Sequence, residues 1–436
     1  MTKTEQKDKN NSYESYALTQ DSELEPIKAI KKVLSTKKIL DLTHLKTYTI
    51  DDKDSYEIDD AISLEERGLT KLIWIHISDP TSVIPKDSVV DLKARSKALT
   101  IYLANKVIYM LPKDIINLMS LKQGKSSLTL SVGVNIDLEG NILNYIVSRA
   151  LIKPNYNLTY EEADELIDYS PEEERDLLAL SKTMELRRKI RGNNGAIQLE
   201  QPEGRFKIQD DIRVLNIIEP TESRKLVSEC MILLGHVIAS YAESNRIPVL
   251  YRSQGITTKT ANQPIENANI PAVNNSVIKQ RLTRAITSTQ SNQHYSLGLN
   301  IYVQATSPLR RYSDMLVHRQ ILAYLDDNPM YSRDELNRLL YDLEPCQRQA
   351  IDIMKEDKSI NQFKWFTSNS RRIWATYFLR YLSKKKNTVL LYFEELEMEI
   401  SCTIMNIDSW DIGKRLLVKF VNTNEITKQL EFLITG

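Results

Sequence analysis

The sequence predicts an α+β protein: a large module in which a mixed sheet is surrounded by helices, followed by a small β-rich domain. Residues 71–77 form a continuous apolar run, which is typical of a strand buried on both faces of a sheet. Helical patterns dominate from about residue 170, and short segments that alternate apolar and polar residues return after Thr388. With 436 residues, 42% of them hydrophobic, the chain can bury a core of this size.

The first part of the chain is expected to begin with a mobile polar arm over residues 1–37, which contains a short helix around 26–34. A strand-like pattern follows and includes the buried strand 71–77. Residues 128–136 alternate apolar and polar side chains and end in an Asp-Leu-Glu-Gly turn. They therefore predict a half-buried strand that continues into a hairpin over 141–147.

Helices account for most of the remaining large module. A helix start is predicted at residues 170–173, which contain a cap, a first-turn proline and a capping-box glutamate. Further helices are expected over 221–245, 312–325 and 333–382. A short strand is expected over 302–306, just before a Ser-Pro break. In the tail, strands of a small barrel or sheet are predicted over 390–393, 398–405 and 415–420.

Composition restricts the function without selecting it. The chain has 58 basic and 58 acidic side chains, so binding of a polyanion must depend on local basic surface. Cys230, Cys346 and Cys402 are far apart and lack zinc-type spacing, which predicts reduced structural thiols. No apolar run approaches the roughly 20 residues of a membrane span. We therefore expect a soluble intracellular protein with no membrane partner, from a bacterial cytoplasm or a plastid stroma.

An acidic cluster is the most informative feature of the chain. Six carboxylates fall within positions 51–60, between two predicted core strands. Two carboxylates about 4 Å apart repel by about 4 kcal/mol at an effective dielectric of 20, so such a cluster stays solvated, takes up protons or binds cations. Neighbouring strand residues point to opposite faces, so Asp59 and Asp60 can reach one ion only from a bent loop. A solvated surface loop is the plain alternative.

A metal site in this cluster would suit magnesium or manganese. A calcium loop that starts at Asp52 fails on spacing, because Glu57 stands where a glycine is needed and Ser63 where a glutamate is needed. Hard divalent ions with oxygen ligands align water and stabilise a leaving oxygen in phosphoryl chemistry. The cluster is therefore a candidate site for that chemistry.

A second polar segment lies about 250 residues further along the chain. Arg310 and Arg311 follow the loop-forming Ser307-Pro308 and precede the predicted helix 312–325. An arginine fork can hold a phosphate through two charge-assisted hydrogen bonds, so this pair is a candidate phosphate clamp if it folds against the acidic cluster. A surface ion pair at a helix start is the alternative interpretation.

Together, the two segments resemble the signatures of the ribonuclease II and ribonuclease R exoribonucleases. Thr49-Ile50-Asp51 followed by Asp59-Asp60-Ala61 looks like the metal-binding signature of that family, and residues 294–318 look like its second signature. Between them, further stretches occur in the family's order: 75–80, Tyr102 with 110–112, 195–197 and 219–220. The resemblance covers roughly residues 40–370.

The resemblance implies a hydrolytic, processive 3′ to 5′ exoribonuclease that degrades single-stranded RNA to 5′-mononucleotides with two Mg²⁺ ions, for which Mn²⁺ is a substitute. It also implies a division into the arm 1–37, an RNB-type catalytic domain over 38–370, and a linker helix with a small degenerate OB-like domain over 371–436. The tail has few exposed aromatic residues and several glutamates, so we expect it to brace the catalytic domain more than it binds RNA.

By position, the resemblance also assigns roles to individual residues. The four metal-binding carboxylates would be Asp51, Glu57, Asp59 and Asp60, with Asp59 the most essential to catalysis. Arg310 would bind the scissile phosphate and stabilise its developing charge, and Arg311 would contact the RNA backbone. Tyr102 would stack on a base and Tyr160 would contact RNA, although a tyrosine at the core edge and one at a helix start are the respective structural alternatives. His294 and His318 are expected to be structural, since magnesium disfavours imidazole.

Two departures from the family pattern keep other functions open. Glu57 stands where most of the family has aspartate, and only about 37 polar residues precede the catalytic region, where the family usually has two cold-shock barrels. RNA-binding proteins are then expected as partners in place of those barrels, and a catalytically weakened or inactive RNA-binding relative is the alternative function. A phosphohydrolase acting on small phosphates is disfavoured, because the 12 glycines form no phosphate-binding loop.

Overall fold

The computed structural model describes residues 20–257, 267–383, 387–405, 409–424 and 429–435. The helices are α1 (Gln20–Thr36), α2 (Val89–Lys97), α3 (Lys113–Met119), α4 (Tyr160–Tyr169), α5 (Arg175–Asn193), α6 (Glu222–Ser244), α7 (Pro271–Gln280), α8 (Tyr312–Leu325) and α9 (Arg333–Ser368). The strands before the barrel are β1 (Leu40–Asp41), β2 (Thr47–Asp51), β3 (Asp60–Arg67), β4 (Thr70–Ser78), β5 (Ile101–Tyr102), β6 (Val107–Ile108), β7 (Ser127–Ile136), β8 (Ile142–Ile152), β9 (Tyr156–Thr159), β10 (Glu203–Gln209), β11 (Ile212–Ile218), β12 (Tyr251–Ser253) and β13 (Ile286–Ser288). The barrel strands are β14 (Ile373–Ser383), β15 (Thr388–Phe393), β16 (Met398–Ile404), β17 (Arg415–Asn424) and β18 (Gln429–Ile434).

A mixed seven-stranded sheet organises the large module, in the order β1-β8-β7-β4-β3-β2-β9. β4 is antiparallel to β3 and β7, whereas β9 runs parallel to β2 at one edge. Both faces of β4 are covered, which explains why residues 71–77 read as an unbroken apolar run. On β7, Gly133 lies against the ring of Trp74, where an added Cβ would come within 2.8 Å of the ring.

Helix α6 crosses the core beneath this sheet. By length and composition it is the one helix in the described part of the chain that could cross a membrane, but 61% of its apolar stretch is buried inside the protein. Cys230 on this helix, Cys346 and Cys402 are free thiols, as expected.

The C-terminal domain is a closed five-stranded barrel in the order β14-β15-β16-β18-β17, which agrees with the expected OB-like domain. Closure leaves no open sheet edge. Phe366, at the end of α9, inserts into the barrel core, with its ring centroid 5.0 Å from that of Phe432 and 5.2 Å from that of Phe393. The long helix therefore ends inside the barrel core rather than in a free linker.

Most of the predicted elements are present. The strands over 71–77 and 128–136, the hairpin that follows the latter, and the helices over 221–245 and 312–325 are confirmed. The strand over 128–136 was wrongly predicted to be half-buried, because it lies inside the sheet and both of its faces are covered. The three predicted tail strands correspond to β15, β16 and β17. The predicted helix in the arm is part of α1, and the first 19 residues lie outside the described residues.

Two further predictions were wrong. The helix predicted over 333–382 ends at Ser368, and residues 373–383 form β14 instead. This stretch is rich in aromatic and β-branched residues, and pairing with β15 and β17 satisfies its backbone groups, so tertiary pairing decides its structure. The strand predicted over 302–306 is only an isolated bridge at Val303.

Candidate active site

The carboxylate cluster lies at one edge of the sheet, where several strands begin or end. Asp51 ends β2, which runs parallel to β9 with Asp51 opposite Thr159. Because the carboxyl ends of the two strands meet, Tyr160 at the start of α4 lines the same cleft as Asp51. β3 runs antiparallel to β2 and starts at Asp60, which therefore lies at this edge as well.

Residues 52–59 form the expected bent loop between β2 and β3. Asp59 is 2% exposed and Glu57 is 7% exposed. The alternative of a solvated surface loop is therefore wrong for these two carboxylates. Asp52 and Asp54, in contrast, are exposed.

Asp59 connects the two segments that the sequence singled out. Its Oδ1 accepts a hydrogen bond from the backbone N–H of Leu309 at 2.9 Å, and its Oδ2 lies 3.4 Å from Nε of Arg310. Within the described residues this buried Oδ2 has no hydrogen-bond partner. The fold thus unites residues 250 positions apart and leaves one buried carboxylate oxygen unsatisfied, which is uncommon in native proteins.

Glu57 is held by two hydroxyl groups. Thr100 donates to its Oε1 at 2.8 Å, and Tyr102 donates to its Oε2 at 2.6 Å. Glutamate reaches one methylene further than aspartate, and both oxygens of this longer side chain meet protein donors. Both carboxylate oxygens of Glu57 are therefore already hydrogen-bonded within the protein.

Burial raises the pKa of all four candidate carboxyl groups, because surroundings of low dielectric disfavour the charged form. The pKa of Asp60 rises to about 7 through burial and the neighbouring charge of Asp51. Burial also raises the pKa of Asp59 well above its usual range, against the opposing effect of Arg310. Carboxyl groups in such surroundings become protonated or are neutralised by cations.

The two neighbouring arginines have different surroundings. The side chain of Arg310 is 42% exposed beside Asp59 and lines the cleft. Arg311 instead donates from Nε at 3.0 Å and from Nη2 at 2.6 Å to Oδ2 of Asp314, which also accepts a hydrogen bond from the N–H of Ser307. Arg311 thus stabilises the loop that presents Arg310, and it is not among the cleft-lining side chains of the described structure.

The two histidines of the second signature lie inside the protein, as expected for structural residues. Nε2 of His318 hydrogen-bonds to the carbonyl oxygen of Ala305 at 2.7 Å, just before the Ser-Pro break. Burial lowers the pKa of His294 to about 4, so this imidazole is neutral at pH 7.

Both candidate tyrosines line the cleft. Tyr102 is 47% exposed, so much of its ring is open to a ligand while its hydroxyl holds Glu57. The guanidinium of Arg224 lies 3.8 Å from the ring centroid of Tyr160 and pairs with Asp52 at 2.6 Å. The guanidinium of Arg224 therefore already covers the ring of Tyr160 in a cation–π contact. Nothing in the sequence around Arg224 distinguishes it from a surface arginine, so only the fold reveals its position.

The candidate site residues that surround one cleft of about 1090 Å³ are Asp51, Glu57, Asp59, Asp60, Tyr102, Tyr160 and Arg310. This volume lies just above the roughly 300–1,000 Å³ of typical small-molecule pockets. The β10–β11 hairpin, which the sequence did not predict, forms part of its wall, and Lys207 of this hairpin pairs with Asp54 at 3.4 Å. The basic side chains along the cleft are Lys106, Arg205, Lys207, Arg224, Arg310 and Lys358.

The donor set at the cleft fits a hard divalent cation. It consists of carboxylate oxygens, and the unsatisfied Oδ2 of Asp59 is among them. In the part of the chain that the structure describes, however, no three acidic, histidine or cysteine side chains are close enough together to form a ready-made metal site. The carboxylates thus line the cleft without converging, and cation binding would have to draw them together.

The large α+β module thus places the four candidate carboxylates and Arg310 along one cleft. Residues 39–327 match the family model described as the RNB domain. The chain belongs to the RNB family.

Relatives of known sequence carry ribonuclease names. An uncharacterized ribonuclease of Synechocystis is 33% identical over 397 residues, which cover 90% of this chain and 59% of the relative. The chloroplastic/mitochondrial ribonuclease II of Arabidopsis thaliana is 32% identical over 382 residues, which cover 85% of this chain and 45% of the relative. The chain thus spans about half the length of these curated relatives.

Solved structures share the fold. RNase R of Mycoplasma genitalium, in complex with ribose-methylated single-stranded RNA, superposes with a TM-score of 0.83 at 18% identity and covers 97% of this chain and 76% of its own. Yeast Ssd1, a pseudonuclease, reaches a TM-score of 0.64 at 18% identity over 89% of this chain and 54% of its own. Because a nuclease and a pseudonuclease both have this fold, the fold alone does not establish catalysis.

Proposed function

We propose that this protein is a hydrolytic 3′ to 5′ exoribonuclease that degrades single-stranded RNA to 5′-mononucleotides with the help of two divalent cations. One observation carries the proposal: the buried, unsatisfied Oδ2 of Asp59 lies 3.4 Å from Nε of Arg310 in a cleft of about 1090 Å³. The ribonuclease II and ribonuclease R names of its relatives support the same activity.

Four carboxylates would hold the cations, Asp51, Glu57, Asp59 and Asp60. Mg²⁺ is the proposed ion and Mn²⁺ a substitute, since both prefer oxygen ligands. When bound, such ions lower the pKa of water and stabilise a leaving oxygen. The raised pKa values of these carboxyl groups support the proposal, because a cation would remove the cost of burying their charge.

The chain's own residues would position the RNA. Arg310 would donate hydrogen bonds to the scissile phosphate and stabilise the charge that develops on it, and it lies within ion-pair distance of Asp59. The half-open ring of Tyr102 would stack on a base near the 3′ end, which holds RNA of any sequence. Basic residues such as Lys207 and Arg224 would attract the phosphate backbone along the cleft. Tyr160 and Arg311 are weaker RNA contacts in this proposal, because Arg224 covers the ring of Tyr160 and Arg311 is bound to Asp314.

The test is a cleavage assay with analysis of product size. The full chain is incubated with Mg²⁺ and a short unstructured oligoribonucleotide that carries a label at either the 5′ or the 3′ end. The 3′-labelled RNA should release labelled mononucleotide at once, and the 5′-labelled RNA should shorten stepwise. DNA of the same sequence should remain intact.

The proposal fails if the RNA stays intact with both Mg²⁺ and Mn²⁺ while a ribonuclease R digests it in parallel. Internal fragments in place of mononucleotides would indicate an endonuclease instead. We further propose that the protein works in a bacterial cytoplasm or a plastid stroma, with RNA-binding proteins as partners.

A catalytically weakened or inactive RNA-binding member of the family is the second candidate function. The observation that favours it is the hydrogen bonding of Glu57, because protein hydroxyl groups donate to both of its carboxylate oxygens. A carboxylate held in this way is less available to a cation than the unsatisfied Oδ2 of Asp59. Substitution of Glu57 separates the two functions, as described in the Discussion.

A further inference from the structure

Thr100 is a buried residue outside the motifs that the sequence singled out. It is 3% exposed and lies between α2 and β5. Its backbone N–H donates to the carbonyl oxygen of Arg310 at 3.0 Å, and two residues earlier the carbonyl oxygen of Ala98 accepts from the N–H of Tyr312 at 3.0 Å. The chain around Thr100 is therefore fastened to the segment that carries the phosphate-binding arginine.

The hydroxyl group of Thr100 is committed to the acidic side of the cleft. The N–H of Met110 donates to Oγ1 of Thr100 at 3.0 Å, and Oγ1 lies 2.8 Å from Oε1 of Glu57. Because a backbone N–H can only donate and a carboxylate can only accept, the hydroxyl proton is directed to Glu57. The hydroxyl group of Thr100 thus accepts one hydrogen bond, from Met110, and donates one, to Glu57.

We infer that Thr100 is a positioning residue, which fixes the carboxylate of Glu57 relative to the segment that carries Arg310. The inference rests on the proposed function and deepens it. The side chain of Thr100 holds Glu57, and its backbone holds the main chain of Arg310. No catalytic contact with RNA is assigned to Thr100 itself.

The two sides of the cleft are joined directly by the hydrogen bond from the N–H of Leu309 to Asp59, but the side chain of Arg310 adds no hydrogen bond to that link. Oδ2 of Asp59 and Nε of Arg310 are 3.4 Å apart and form no hydrogen bond. The path through Thr100 consists of neutral and charge-assisted hydrogen bonds of 2.8–3.0 Å in a buried setting, where such bonds are strong and directional. This path would therefore determine the alignment of the cleft when RNA enters.

Three variants test the inference by kinetics. Thr100→Val keeps the shape of the side chain and removes the hydroxyl, so kcat should fall about tenfold, which corresponds to about 1.4 kcal/mol, while KM for RNA changes less than about threefold. Thr100→Ser retains the hydroxyl and should keep kcat within about threefold of the wild type. Thr129→Val removes a buried hydroxyl elsewhere in the same module and should leave kcat unchanged.

A double-mutant cycle tests the link without any catalysis. The urea midpoints of the full chain are measured for Thr100→Val, Glu57→Ala and the combined variant. If Thr100 acts through Glu57, the shift of the combined variant should be smaller than the sum of the two single shifts. Additive shifts would overturn the inference, as would wild-type kcat in Thr100→Val or an equal loss of kcat in Thr129→Val.

The two kinds of measurement separate this inference from the proposed function. If the wild-type chain does not cleave RNA, the proposed function fails, and the unfolding cycle alone decides whether Thr100 positions Glu57. If the wild type cleaves RNA and Thr100→Val cleaves it equally well, the proposed function stands and the positioning role is wrong.

Discussion

Two polar clusters of the large module differ in whether all of their buried polar atoms have hydrogen-bond partners. One is the carboxylate cluster at the edge of the sheet. The other, the hydroxyl–imidazole row, crosses β2, β3, β4 and β7 and consists of Thr47, Ser63, His76, Ser131 and Thr129. Neighbouring side chains of this row lie 2.8–3.0 Å apart, and within the described structure none of its polar side-chain atoms lacks a partner.

The difference between the clusters concerns charge as well as hydrogen bonds. Burial lowers the pKa of His76 to about 3, so the hydroxyl–imidazole row is neutral, and its two ends are hydrogen-bonded to the backbone carbonyl oxygens of Leu45 and Ala150. The carboxylate cluster has raised pKa values and an unsatisfied oxygen at Asp59. A satisfied neutral network stabilises a fold, whereas an unsatisfied charged one is stabilised by taking up protons or by binding a ligand of opposite charge. The comparison therefore favours the carboxylate cluster as the functional site on physical grounds that do not depend on any motif.

The largest expected effect is at Asp59. Asp59→Asn removes the charge and keeps the shape, so cleavage should fall by about 10³-fold, while RNA affinity stays within a few-fold because phosphate contacts are unaffected. Single-turnover rates and filter binding measure the two quantities. In the hydroxyl–imidazole row, Ser131→Ala should lower the free energy of unfolding and leave the rate unchanged. Equal loss of rate and affinity in Asp59→Asn would indicate misfolding rather than a catalytic role.

Arg310 should give the next largest effect. Arg310→Lys keeps the positive charge but loses the planar fork, so the rate should fall by about 10²-fold. Arg319→Lys is the matched control, because Arg319 pairs with the buried Asp91 at 2.7 Å, and it should affect stability alone. A wild-type rate in Arg310→Lys would show that the fork does not contact the reacting phosphate.

Glu57→Asp distinguishes an active enzyme from a weakened one. If Glu57 belongs to a working site, the shorter side chain loses its bonds to Thr100 and Tyr102, and the rate should fall about tenfold. A marked gain in rate would instead show that the natural protein is a weakened nuclease. Glu174→Asp is the control, since this buried glutamate also accepts hydrogen bonds from two tyrosine hydroxyl groups, and it should change stability without changing the rate.

The smallest expected effect is on stability as a function of pH, and it has opposite signs in the two clusters. Burial lowers the pKa of His76 from its ordinary value of 6.5 to about 3, so the unfolded chain binds more protons there, and the free energy of unfolding falls as the pH drops below 6.5. Burial and the charge of Asp51 raise the pKa of Asp60 from its ordinary value of 3.8 to about 7, so the folded protein binds more protons there, and the free energy of unfolding rises as the pH drops from about 7 towards 3.8. Each group contributes at most about 1.4 kcal/mol per pH unit.

Urea unfolding in the presence of a chelator at pH 7.5 and 5.5 measures both contributions. His76→Gln should lose less stability on acidification than the wild type, and Asp60→Asn should lose more. The same pH dependence in the wild type and both variants would contradict the contrast between the clusters.

Local pattern was enough to predict several of the strands and helices around the site, although not the β10–β11 hairpin. The apolar run in β4, the alternation in β7 and the Ser-Pro break before α8 each depend on neighbouring residues alone. The six acidic residues at 51–60 and the arginine at 310 were likewise visible as unusual local composition.

Contacts between distant parts of the chain could not be predicted in this way. The bonds from Glu57 to Thr100 and from Asp52 to Arg224 join segments whose local sequences are ordinary. Residues 373–383 appeared helical because the barrel strands that pair with them lie elsewhere in the chain. Arg311 was grouped with Arg310 on sequence, and only the buried Asp314 shows that the two neighbours have different partners.

Calorimetric titration of the RNA-free protein with Mn²⁺ tests most directly the claim that the buried carboxylates are stabilised by divalent cations. The account predicts saturable binding to the wild type and to Ser131→Ala, and loss of that binding in the double variant Asp59→Asn, Asp60→Asn. Absence of saturable binding to the wild type, or undiminished binding to the double variant, would contradict it.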